Sequence, residues 1–157
     1  MLSLIYSIYV LARPLCSELA RVPGTTVWSR VVKNETAGRL PGVLGFALGA
    51  PITFINARYQ LSELMRAPAA KGAKCLLVAI KANGIVDIDF TGAQEFRQVI
   101  DDMRDRKIDV ALARLESERA NDTTRRTGLF DTLGRDHLFR SVEDAAGAFG
   151  RRAEPDN

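Results

Sequence analysis

Two cysteines, one histidine and one tryptophan in 157 residues set the first limits. Cys16 lies in an N-terminal arm and Cys75 in an apolar run, with no CxxC and no Cys/His spacing around either. A structural zinc site needs four such ligands. No metal centre is therefore expected, the two thiols are not expected to pair, and cysteine usage reads as a reducing, cytosolic compartment. His137 has no second histidine for a metal pair, and no Ser or Cys stands in a nucleophile elbow. It reads as a surface or partly buried strand residue. No GxxxxGK[ST] loop is present to cradle phosphate. No apolar run approaches the roughly 20 residues of a bilayer span. Internal repeats and low-complexity segments are missing too. Charge of one sign is also scarce. The net +3 belongs to residues 1–39, with five cations and two anions, which leaves seventeen of each sign beyond them. A nucleic-acid-binding surface would be a dense cationic patch, so nucleic acid is not an expected partner.

What is present fits a single α/β domain of ordinary composition. At this length a chain buries about two-thirds of its unfolded surface. The organising stretch is Lys74 to Gly92 and the helix after it. The unbroken apolar run from Cys75 to Ile80 suits a strand covered on both faces. A turn at Asn83-Gly84 follows, then a loop with Asp87 and Asp89. The helix is expected from about Thr91 to Arg106. Thr91 with Gln94 makes a capping-box pattern. Phe96, Val99, Ile100 and Met103 lie on one face at helical spacing. Asp109 to Arg114 reads as the next strand, which completes a right-handed parallel βαβ unit.

Around this unit the chain divides into an arm over 1–13, a linker over 14–40, a domain over 41–150 and a disordered tail over 151–157. The linker carries turn chemistry at Val22-Pro-Gly-Thr-Thr26, a short edge strand over Thr26 to Val32, and a polar loop over 34–38. Val43 to Leu48 is a first core strand. Ile52 to Ile55 reads as a second, so 43–55 is expected to be a hairpin. Asn56 is placed to cap a helix that ends at Pro68, with a connector over 69–72. A short helix over Asn121 to Thr127 ends with Gly128 at C′. Leu129, Phe130 and Leu133 follow as core contacts, and His137 to Phe139 as a brief strand. Ser141 with Asp144 caps the last helix, whose inner face is Val142, Ala145, Ala146 and Phe149.

The arm Leu2 to Ala12 is apolar except for its serines, and Arg13-Pro14 ends it. It lacks the basic start and small-residue cleavage site of a signal peptide. Three readings stay open: a short amphipathic anchor, a helix packed on the domain, or the cytosolic end of a membrane helix. Tyrosines followed by Arg suit a membrane–water boundary on the cationic side.

Asp87 and Asp89 are the candidates for acid–base work. No apolar pocket is indicated that would raise either carboxyl, and the plainer reading is that they bind the free N–H groups of the helix. Thr91 can be an N-cap, or a phosphorylation site whose added charge the helix N-terminus stabilises. The adjacent carboxylates oppose a phosphate-bearing ligand there. No constellation supplies nucleophile, base and oxyanion donor, so no enzyme is expected.

Four stretches resemble the STAS domain, the module shared by sulfate transporters and anti-sigma-factor antagonists. Ala50-Pro-Ile-Thr-Phe-Ile-Asn-Ala57 is similar to the transporter motif P-L-F-F-A-N-A. Val86-Asp-Ile-Asp-Phe-Thr-Gly92 is similar to the family loop with Asp, then Ser or Thr, then Gly. Ile108 to Arg114 follows a charged helix end. Arg126-Thr-Gly-Leu-Phe-Asp131 with Asp136-His-Leu-Phe139 is close to R-x-G-L…H-x-F. Arg21 to Arg30, around Gly24, resembles the linker after the last membrane helix of SulP-type anion transporters. The resemblance implies an α/β fold with a mixed four- to five-stranded sheet and about four helices. It implies a regulatory domain on the cytoplasmic side of the plasma (inner) membrane, acting by protein binding. Its partners would be the transporter's membrane domain, a cytosolic regulatory protein or a second copy. The transport pathway would lie in helices this chain does not contain, the chain being an excised piece, a truncated product or a separate subunit. The alternative is a freestanding anti-sigma-factor antagonist switched by phosphorylation, a position that falls on Thr91. Weak nucleotide binding is implied for the same loop, with Asp87, Asp89, Thr91 and Gly92 as its residues. No other cofactor is implied.

Overall fold

The computed structural model describes residues 1–31, 38, 40–69 and 75–153, with backbone alone at 152 and 153. Most of the expected loop over 34–38 and connector over 69–72 lies outside the described residues, as does the end of the tail. The chain runs α1 (Leu2–Ala12), β1 (Ser17–Arg21), β2 (Trp28–Arg30), β3 (Val43–Ala47) and α2 (Ala57–Ala69). It continues through β4 (Leu77–Lys81), α3 (Phe90–Asp105), β5 (Asp109–Ala113), α4 (Glu118–Arg126) and α5 (Leu129–Leu133). A single 3₁₀ turn, β6 (Leu138–Phe139) and α6 (Val142–Ala153) complete it. One sheet holds all six strands in the order β2-β1-β3-β4-β5-β6. β2, β1 and β3 pair antiparallel, and β3 through β6 pair parallel. The α/β class and mixed sheet stand as read from the sequence. The described residues hold six strands and six helices, against four to five and about four.

β4 explains its own sequence. Val78 and Ile80 face the layer of α2, α3 and α5, packing with Leu61, Phe96, Ile100 and Leu129. Leu77 and Ala79 face the other way, onto Val142, Ala145 and Ala146 of α6. A strand covered on both sides needs apolar residues at every position. The expected helical face of α3 is fully realised: Phe96, Val99, Ile100 and Met103 are all buried.

Two sequence expectations are corrected. The hairpin over 43–55 does not form. β3 pairs with β1 and β4 instead, and Ile52 makes only an isolated parallel bridge to Ile88. Beyond Ile52 the chain turns into α2, with Phe54 and Ile55 exposed. Second, within the stretch read as a linker the chain forms β1 as well as the expected edge strand, which is β2. Trp28 is buried over β3, where a side chain at Gly45 would come within 2.8 Å of its ring. Its indole N–H donates to Glu143 Oε2 at 2.8 Å, and Arg21 pairs with Glu143 at 3.0 Å. The start of α6 is thereby held to both strands.

Candidate functional site

The loop from Ile85 to Gly92 leaves the C-terminal end of β4, where open parallel sheets present their ligand crevices. Ile85 and Ile88 are buried anchors, while Val86 and Phe90 project outward. The N-cap of α3 is Asp89 and not Thr91: its Oδ1 accepts from the Gly92 amide at 2.7 Å. Its Oδ2 accepts from the Phe54 amide at 2.8 Å, so one carboxylate caps the helix and fixes the turn before α2. Asp87 pairs with Arg119 of α4 at 3.3 Å. Ser117, the N-cap of α4, donates to the Val86 carbonyl at 2.6 Å. Gly92 is buried where a Cβ would meet the Ile52 carbonyl oxygen at 2.3 Å, so glycine permits the close approach of α3 to that strand-like segment. Thr91 is exposed one position past the first residue of the helix.

Asp87, Asp89, Thr91 and Gly92 thus have separate surroundings: an ion pair, a cap, an exposed side chain and a close backbone approach. Asp89, Phe90, Arg119, Thr123 and Arg126 frame a shallow depression of about 460 Å³ between the loop and α4. A phosphate does not fit the α3 N-terminus well, because the Gly92 N–H is taken and the carboxylate that takes it repels an anion. Chemistry by general acid and base has no support here either. Asp87 and Asp89 are engaged in an ion pair and a cap, and His137 stands at the other end of the sheet. There its Nδ1 is 2.9 Å from Asp136, and its Nε2 lies 3.3 Å from Asp109 at the N-terminal end of β5, out of line for a hydrogen bond. Among the described residues no cluster of three His, Cys, Asp or Glu could hold a metal ion.

Sequence reasoning missed the partners that build the site. Ser117 lies 31 residues downstream of its partner Val86 and Arg119 lies close behind it, and no local pattern points to them. Nor does any local pattern show the duty of Arg97 and Arg104. In fact they tie α3 to α5: Arg97 donates to Thr132 Oγ1 and to the Thr127 carbonyl, and Arg104 to the Thr132 and Leu133 carbonyls. Asn56 is buried directly before α2, and its carbonyl accepts from the Gln60 amide at 2.9 Å. Its Oδ1 accepts from Thr53 N–H and Gln60 Nε2, and its Nδ2 donates to the Leu11 carbonyl at 3.2 Å. That bond joins the arm to the domain.

A parallel β4–α3–β5 unit, a capped loop at its carboxyl end and flanking short helices make up an α/β module built on one mixed sheet. The sequence model of the STAS domain matches residues 36–145, and the chain belongs to that family. Its relatives are longer proteins. A probable sulfate transporter of Mycobacterium tuberculosis is 26% identical over 151 residues, covering 96% of this chain and 27% of that protein. High affinity sulfate transporter 2 of Stylosanthes hamata is 23% identical over 146 residues, covering 88% of this chain and 22% of that protein. The chain therefore spans about a quarter of the length of the curated relatives it matches. Among solved structures, the murine Solute Carrier 26 family member A9 anion transporter overlays with a TM-score of 0.82 at 19% identity, over 97% of this chain and 24% of that one. The STAS domain of a Vibrio cholerae SulP transporter overlays with a TM-score of 0.59 at 19% identity, over 76% of this chain and 91% of that one.

Proposed function

We propose that this chain is the regulatory STAS domain of a SulP-type sulfate or related anion transporter, lying on the cytoplasmic side of the membrane and acting by protein binding. One observation carries the reading. The likeness to a whole transporter extends over 97% of the chain, against 76% for the separately solved Vibrio domain. A counterpart for the arm and the first strands in a whole transporter supports this reading over a freestanding antagonist.

The chemistry of α1 supports the same reading. Leu4, Ile5, Tyr6, Ile8, Tyr9, Val10 and Leu11 cover every side of the helix, and none of its residues is buried. Such a helix is neither an amphipathic anchor nor a docked surface helix; apolar residues all round call for lipid or protein all round. One hydroxyl is satisfied within the helix, since Ser7 donates to the Ser3 carbonyl. Eleven residues rise about 16 Å, roughly one leaflet of a hydrocarbon core about 30 Å thick. Among the described residues no helix is long and apolar enough to cross a membrane. The binding surface for the membrane domain or a regulatory protein is the loop 86–91 and the depression beside α4, where Thr91 is the candidate switch residue.

Liposome co-sedimentation of residues 1–157 against 14–157, at low and high salt, tests the membrane placement. The shorter form keeps β1 and β2, which a cut at residue 40 would remove from the sheet. Pelleting of the long form alone supports the reading. Equal recovery of both forms in the supernatant refutes it and favours α1 as a docking helix for another protein.

A further inference from the structure

We infer that the turn between β3 and α2 is a second lipid-contact element, which lays Phe54 and Ile55 into the interfacial layer of an anionic membrane while Arg13 and Arg58 meet headgroup phosphates. The inference rests on the reading that α1 enters the bilayer. It adds that the domain itself lies against the same surface.

The geometry comes from how the arm is fastened. Asn56 Nδ2 donates to the Leu11 carbonyl, and the Arg13 guanidinium lies 5.5 Å from the Tyr9 ring centroid and 5.9 Å from that of Tyr59. Asn56 is in turn buried and held from both sides by Thr53 and Gln60. The last turn of α1 therefore cannot change height relative to residues 53–59 without breaking the part-buried Asn56–Leu11 bond and unstacking Arg13. If α1 occupies one leaflet, its Arg13 end lies at the headgroup layer, and the 53–58 turn lies at that level with it.

The surface at that level suits a membrane. A groove of about 370 Å³ runs between arm and turn, walled by Val10, Leu11 and Leu15 on one side and Pro51 and Ile55 on the other. Phe54 stands 71% exposed beside it and Ile55 46% exposed. In water such a patch is an association hazard; at a lipid interface it is a set of anchors. The charges agree in sign. Arg13, next in the chain to Pro14 of the groove, and Arg58, in the first turn of α2, are both exposed. The carboxylate bonded to the turn, Asp89, is occupied by the Phe54 and Gly92 amides. Basic residues at an anionic surface add binding that salt screens away.

The test uses the full chain with vesicles of phosphatidylcholine alone and of phosphatidylcholine with phosphatidylserine. Phe54→Ser/Ile55→Ser leaves α1 intact and alters only exposed side chains, so thermal unfolding should not move. The expected result is a partition coefficient at least tenfold below wild type. Arg58→Gln should remove about a fivefold part of the preference for the anionic vesicles. An Ile5→Lys/Ile8→Lys variant separates the two claims. Unchanged partition of the turn variant, with loss in the α1 variant, overturns this inference and leaves α1 as the sole lipid contact. Loss in the turn variant alone overturns the α1 reading and leaves the turn. A wild-type chain that binds neither vesicle overturns both, and the groove then faces a protein.

Discussion

Replacing Asp89 with Ala should cost several times more stability than replacing Thr91, although the capping-box pattern points to Thr91. Asp89 Oδ1 accepts from the Gly92 amide at 2.7 Å and Oδ2 from the Phe54 amide at 2.8 Å. Losing an N-cap costs about 1 kcal/mol. The bond to Phe54 has a charged acceptor, in a class worth about 1.5–3 kcal/mol. Phe54 is exposed, so water can replace part of that bond, and about 1 kcal/mol is a fair share. The sum is about 2 kcal/mol, or about 4–8 °C in Tm for a domain of this size. Asp89→Asn keeps one acceptor oxygen and should cost about half as much. Thr91→Ala changes an exposed side chain and should stay within about 0.5 kcal/mol. Urea unfolding of the full chain and the three variants, in one mild detergent, measures all of this. A Thr91→Ala cost equal to that of Asp89→Ala would refute the assignment of the cap.

Two further outcomes follow from close packing and burial. Gly92→Ala forces a methyl to within 2.3 Å of the Ile52 carbonyl oxygen and should destabilise by about 1–3 kcal/mol, read as a lowered urea midpoint with an unchanged slope. Cys16 is pushed up to about 11 chiefly by burial, with Glu63 adding to the shift and a hydrogen bond from the Gly49 backbone opposing it. The thiol should therefore resist alkylation at pH 8 in the folded chain and react once the chain is unfolded in urea. Its folded value lies above its ordinary 9.0, so between about pH 9 and 11 the unfolded state holds fewer protons. Stability from this group is thus constant below pH 9 and declines through that window. A Cys16→Ser variant should show a smaller decline in urea midpoint between pH 8 and 10.5.

The βαβ centre was legible because each of its signals is local. An unbroken apolar run gave β4, a 3-1-3 spacing gave the buried face of α3, and Ser141 three residues before Asp144 gave the cap of α6, whose Ser141 Oγ accepts from the Asp144 amide at 3.0 Å. The errors fall where long-range partners decide. Ser17-Glu-Leu-Ala-Arg21 buries only Leu19 and Ala20 looks no more inward than its neighbours, so β1 carries almost no strand pattern of its own. It is a strand because β2 and β3 take both its edges. Ile52-Thr-Phe-Ile55 has the composition of a strand, yet Asn56 and Asp89 draw it into a turn. The same carboxylate displaced Thr91 from the cap. Asp and Thr both suit that position, and the Phe54 amide, 35 residues away in sequence, was not visible from the motif. Arg119 and Ser117, which hold Asp87 and the Val86 carbonyl, were not identifiable from spacing.

If α1 belongs in lipid, joined to the STAS domain through Asn56, its side chains lie among acyl chains. A Tyr6→Trp variant of the full chain tests this most directly. Trp28 is 7% exposed in the sheet and supplies a constant background. With vesicles whose acyl chains carry bromine, the new emission should shift to the blue and be quenched, while that of the wild-type chain is not. Emission from position 6 that keeps its aqueous wavelength and escapes quenching would contradict the claim.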